Sequence, residues 1–82
     1  MNGEIDIEQV KSAFAETLLE LRKEAGLSQE KLANKAHLER AYVSRLERSL
    51  VQPSLSTLIK ISNSLEIDLS VLINKFLKHL NG

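Results

Sequence analysis

Apolar positions recur every three to four residues along almost the whole chain, and no segment shows the strict alternation of a half-buried strand. Ile7, Val10, Phe14, Leu18, Leu21 and Ala25 fall on one side of a helix over roughly 7–25, and Gly26 supplies its stop. Leu19 lies off that stripe and is expected at the surface. Ser28 is a good N-cap residue, so a second, short helix is predicted over 28–36, with Leu32, Ala33 and Ala36 inward. A third covers 39–48. Proline is tolerated at a helix start but not in its interior, so Pro53 places the fourth helix over 54–65. Its inward set is Leu55, Leu58, Ile59, Ile61, Ser62 and Leu65. Asp68 or Ser70 caps a fifth helix over 69–80, where Leu69, Leu72, Ile73, Phe76, Leu77 and Leu80 form a stripe about 140° wide at ~100° per residue. Five helices with short links predict an all-α fold, a compact five-helix bundle, with residues 1–82 as one domain.

Composition narrows the picture. A chain of 82 residues with 43% hydrophobic residues suits a folded domain. Only Phe14, Tyr42 and Phe76 are aromatic, so the core is expected to be aliphatic. There is no cysteine, which excludes disulfides, thiol catalysis and cysteine-bound zinc. His37 and His79 are the only histidines, so no metal site and no cofactor is expected. No nucleophile–base pair or clustered acid–base set appears, so an enzyme is not expected. The N-terminus is acidic without an apolar run, and nothing approaches the ~20 apolar residues of a membrane span. The expected location is the cytoplasm.

Charge changes the picture more. The 11 basic and 11 acidic residues cancel, but residues 1–27 carry net −3, residues 28–54 net +2 and residues 55–82 net +1. On a wheel at ~100° per residue, Arg40, Ala41, Ser44, Arg45 and Arg48 occupy one arc of the third helix, and Tyr42, Val43 and Leu46 the opposite one. A solvated surface face is one reading of that arc. A nucleic-acid interface is the other. A solubilising face mixes signs, whereas this arc is purely cationic, and its small Ala41 and Ser44 permit close approach. A helix fits the DNA major groove, where arginine bonds guanine O6 and N7 together.

The stretch Gln29-Glu30-Lys31-Leu32-Ala33, followed by Val43-Ser44-Arg45-Leu46-Glu47, resembles the helix-turn-helix of the lambda-repressor-like, or Cro/Xre, family. The similarity extends through Leu21-Arg22, Gly26-Leu27-Ser28-Gln29, Pro53-Ser54-Leu55 and Thr57-Leu58, covering about residues 10–73. The resemblance implies base contacts from Arg40, Ala41, Ser44 and Arg45. It implies backbone contacts from Ser28, Gln29, Arg48, Gln52 and Ser54. Tyr42 projects to the side, toward a phosphate or into plain packing. Arg22 and Glu47 match a pair that forms an internal salt bridge in relatives. The turn usually carries glycine where this chain has His37, so a left-handed His37 is expected.

The wide stripe of the last helix either closes the core or faces a second copy. Ile67, Leu69, Leu72, Ile73 and Phe76 are the interface candidates for a homodimer. The resemblance implies dimers on a near-palindromic operator in double-stranded DNA. The LERAYVSRLER stretch and the chain's size are similar to the controller proteins of restriction–modification systems. That implies a stand-alone transcription regulator, activator or repressor, with RNA polymerase as a further candidate partner. A small phage-type repressor, an antitoxin, and a protein-interaction module that kept the fold without DNA binding are the alternatives.

Overall fold

The computed structural model describes residues 3–82. Its five helices are α1 (Ile7–Glu24), α2 (Gln29–Ala36), α3 (Arg40–Glu47), α4 (Leu55–Ser64) and α5 (Leu69–Asn81), with no strand among the described residues. Three of the starts are capped by side chains. The Asp6 carboxylate accepts from the Glu8 amide at 3.0 Å, Ser28 Oγ from the Lys31 amide at 3.0 Å, and Ser54 Oγ from the Thr57 amide at 3.1 Å.

Four helix ends close alike. Gly26, His37, Ser49 and Glu66 all adopt left-handed backbone, with φ of 71°, 55°, 63° and 56°. After each comes an apolar residue whose amide bonds back five residues: Leu27 to the Arg22 carbonyl, Leu38 to Ala33, Leu50 to Arg45 and Ile67 to Ser62, at 2.8–3.1 Å. This satisfies carbonyls that a helix end would otherwise orphan. His37 takes the left-handed turn expected of it (φ 55°, ψ 43°).

The core is aliphatic apart from Phe14: Leu18, Leu21, Leu32, Ala33, Val43, Leu46, Ile61 and Leu72 pack around that ring. α1 runs against α3 and α5, while α2 lies against α3 and α4. Burial departs from the apolar pattern at several places. Ile7 and Ala25, at the ends of the α1 stripe, are exposed. The larger departure is in α4. Leu55 is 67% exposed and Ile59 44% exposed, whereas Thr57, Ser62 and Ser64 are buried beside Ile61. Ser62 Oγ donates to the Ile59 carbonyl at 3.1 Å and Ser64 Oγ to the Lys60 carbonyl at 2.8 Å. Hydroxyls satisfied by their own helix can enter a core, so the buried face of α4 rotates away from its apolar one. Leu77 of α5 is likewise exposed.

Candidate nucleic-acid interface

A buried ionic brace fixes the angle of α3. Arg22 Nε donates to Glu47 Oε2 at 2.6 Å and its Nη2 to Glu47 Oε1 at 3.0 Å, while Nη1 donates to the Leu27 carbonyl at 2.8 Å. Gln29 Nε2 adds a third donor to Glu47, at 3.0 Å to Oε1. Glu47 is thus nearly sealed from water, its side chain 5% exposed, and every short contact it makes is charge-assisted or amide. The bond to Glu47 holds the Arg22 guanidinium above its already high ordinary pKa, against a weaker opposing effect of burial. The brace joins α1, the first turn of α2 and the last turn of α3. The Arg22–Glu47 pairing follows from the sequence resemblance. The inward turn of the Gln29 amide nitrogen does not, since the resemblance implied a DNA-backbone contact for Gln29.

With Val43 and Leu46 buried, α3 presents Arg40, Ala41, Arg45 and Arg48 to solvent and Ser44 at half exposure. Among the described residues, none of the three arginines forms an ion pair. Ser28, Gln52 and Ser54 are exposed at the two flanking ends, and Gln29 is half-buried. Tyr42 is half-buried against the core, and its hydroxyl donates to Thr57 Oγ1 at a long 3.4 Å. Ser54 Oγ donates to the same oxygen at 3.0 Å. Thr57, buried and absent from the sequence-derived site, thereby ties Tyr42 to the first turn of α4.

The acids of α1 lie on another side. Lys75 Nζ of α5 sits 2.7 Å from Glu20 and 3.4 Å from Glu24. The two ring nitrogens of His79 sit 3.0 Å from Glu16 and 3.0 Å from Glu20. The residues proposed for self-association divide. Leu72 is 0% exposed within one chain, so it is a core residue, on the inner side of the apolar groove that Ile73 and Phe76 line. α5 packs against both α1 and α4. Ile67, Leu69, Ile73 and Phe76 are half-buried. Ile73 and Phe76 line an apolar groove of about 200 Å³ with Val10, Phe14, Pro53 and Leu58. Among the described residues no group of three or more side chains is arranged to hold a metal ion, and no helix is long and apolar enough to cross a membrane.

This geometry has counterparts. Residues 18–72 match the helix-turn-helix family HTH_3. The chain is 42% identical over 55 residues to an immunity repressor protein of Bacillus phage phi105, covering 67% of this chain and 38% of the repressor, so it spans well under half the length of that relative. Among solved structures it is similar to the restriction–modification controller protein C.AhdI from Aeromonas hydrophila (39% identity, TM-score 0.73, 76% of this chain and 94% of that one). It is also similar to the controller protein C.Esp1396I, seen as a tetramer in complex with its natural 35 base-pair operator (29% identity, TM-score 0.81, 89% and 96%). With a family model matching well over half of its length across the braced helix pair, the chain belongs to the helix-turn-helix family HTH_3.

Proposed function

We propose that this chain is a sequence-specific DNA-binding transcriptional regulator, a homodimer on a near-palindromic operator, of the restriction–modification controller kind. The observation that carries the reading is the outer face of α3: three arginines with no carboxylate partner among the described residues, on a helix held by the Arg22–Glu47–Gln29 brace. Arg40 and Arg45 read guanine, Ala41 meets a thymine methyl, and Ser44 lies between them. Ser28, Gln29, Arg48, Gln52 and Ser54 hold the sugar-phosphate backbone, which positions without specifying. With its amide nitrogen on Glu47, Gln29 still directs the α2 N-terminus, whose free amides favour a phosphate. Tyr42 reaches a phosphate only by giving up its bond to Thr57, since a phosphate oxygen needs a donor; at 3.4 Å that bond is weak.

Zero net charge does not oppose this. Phosphate neutralisation is local, and a dimer sets two such faces about 34 Å apart, one turn of DNA. The self-association surface extends from Leu69, Ile73 and Phe76 of α5 to Leu55 and Ile59 of α4, which share a helix face with the groove-lining Leu58. A regulator of this kind works in the cytoplasm, needs no cofactor or catalytic group, and has RNA polymerase as a candidate partner. A phage-type repressor is the second reading, favoured by the identity to the phi105 immunity repressor.

The test is fluorescence anisotropy against the DNA upstream of the protein's own gene and against a scrambled duplex, each at two salt concentrations. The expected result is preference for the upstream DNA, with affinity falling steeply with salt, by about 0.9 log units per log unit of salt for each phosphate neutralised. Equal weak binding to both duplexes would leave the arginines as a solvated face.

A further inference from the structure

The Arg45 guanidinium lies over the Tyr42 ring, 5.8 Å from its centroid. The two residues are three apart on α3, the spacing at which helix side chains become neighbours. Everything else around Arg45 pushes the same way. Arg48 stands one turn further on, and like charges at that spacing repel. Arg45 has no carboxylate partner among the described residues, so the π-face is the one attractive contact the structure gives its charge. The ring itself is not free to follow an exposed arginine. It packs against the core beside Val43 and Leu46, and its hydroxyl is tied through Thr57 to Ser54, the cap of α4.

From this arrangement we infer that Tyr42 is a positioning residue for base readout: its ring holds the Arg45 guanidinium at one place on the α3 face, and its link to Thr57 and Ser54 couples that place to the start of α4. The inference rests on the proposed DNA-reading role of α3 and gives it a specificity device. A free arginine on an exposed helix samples many rotamers, all of which are lost on meeting a guanine. A planar guanidinium held against a ring loses fewer, because its orientation is partly set before binding. The gain falls on the base pair read by Arg45 and not on non-specific affinity, since any rotamer can neutralise a phosphate. Ser54 is a proposed backbone contact, so seating α4 on a phosphate and aiming Arg45 at a base become one movement.

The experiment is a double-mutant cycle on operator discrimination. Binding is measured for the full chain, Tyr42→Leu, Arg45→Ala and the double variant, against the operator and duplexes carrying single base-pair changes. The position read by Arg45 is the one at which Arg45→Ala no longer discriminates. There, Tyr42→Leu is expected to lower discrimination about three- to ten-fold, over and above any uniform loss of affinity for all duplexes from a missing phosphate contact, with no further loss of discrimination once Arg45 is alanine. Tyr42→Phe, which keeps the ring, should retain most of the discrimination.

Equal losses from Tyr42→Leu with and without Arg45 would overturn the inference, as would undiminished discrimination. A wild-type protein that prefers no duplex would overturn the proposed function, and this inference with it. Should Tyr42→Leu not fold, proton chemical shifts of the DNA-free wild type decide. The Arg45 side-chain methylenes must be ring-shifted upfield of those of Arg40 and Arg48, and their coincidence with those two would rule the platform out.

Discussion

The molecule carries two concentrations of charge, and they are built in opposite ways. Between α1 and α5, Glu16, Glu20 and Glu24 meet Lys75 and His79, so each of these groups has a partner within the chain. On the outer face of α3, Arg40, Arg45 and Arg48 have no carboxylate partner among the described residues. The first set is spent on holding one helix to another. The second can gain full electrostatic stabilisation only from an anion outside the chain. The brace at Glu47 lies between them, paired like the first set but serving the second by fixing the helix that carries it.

Substitutions can break this contrast, and the largest effect belongs to the brace. Glu47→Ala leaves Arg22 buried with its charge uncompensated, which typically costs about 3–5 kcal/mol. For a domain of this size that corresponds to a fall in Tm of well over 10 °C, at about 4–8 °C per kcal/mol. Thermal unfolding followed by circular dichroism checks it, and an unchanged Tm would remove Glu47 from the structural role. Next comes the free set. Arg40→Ala or Arg45→Ala should leave the Tm within about 4 °C while costing about 1–3 kcal/mol of discrimination at the base each one reads, measured by competition binding.

A smaller effect sharpens the account of the turn between α2 and α3. His37 sits in left-handed backbone, where glycine has no Cβ penalty but a larger unfolded-state entropy. His37→Gly should be neutral or stabilising by up to about 1 kcal/mol, and clear destabilisation in denaturant titration would show a further role for the ring. The smallest effect concerns the α1–α5 pairs. The bond from Lys75, and then that from His79, lowers the Glu20 pKa below its ordinary 4.5. A lowered carboxylate stabilises the fold above its unfolded-state pKa and loses that contribution as pH falls through the folded value. The Lys75 pKa is raised above 10.5, chiefly by Glu20, so its contribution is lost as pH rises beyond that value. The stability difference between wild type and Lys75→Ala should therefore be small, since solvent screens these groups, and should be lost as pH falls through the lowered Glu20 pKa. A difference that persisted in acid would locate it in packing.

Much of this was legible in the chain before its fold. The helical period, Ser28 as a cap, Pro53 as the mark of a helix start, Gly26 as a stop and the cationic arc of α3 are all local signals, set by residues within a turn or two of each other. What escaped was set at a distance or by competition. Leu55 and Ile59 looked inward because apolarity alone cannot say that Thr57 and Ser64, with satisfied hydroxyls, will join Ser62 on the buried side of α4. Leu72 shared a stripe with Ile73 and Phe76, and only the packing of α5 against α1 and α4 separates core from surface there. The ion pairs of Lys75 and His79 join residues more than fifty positions apart, beyond any periodicity. The left-handed Ser49 and Glu66 had a signal that was not glycine: the apolar residue after each, Leu50 and Ile67, whose amide closes the helix.

The contrast between paired and unpaired charge is tested most directly by one binding comparison at a single salt concentration. Preference for operator over scrambled duplex is measured for Arg40→Ala/Arg45→Ala and for Lys75→Ala/His79→Ala. The account predicts that the first variant loses its preference while the second keeps that of the wild type. Equal losses in both, or preference retained without the arginines, would contradict it.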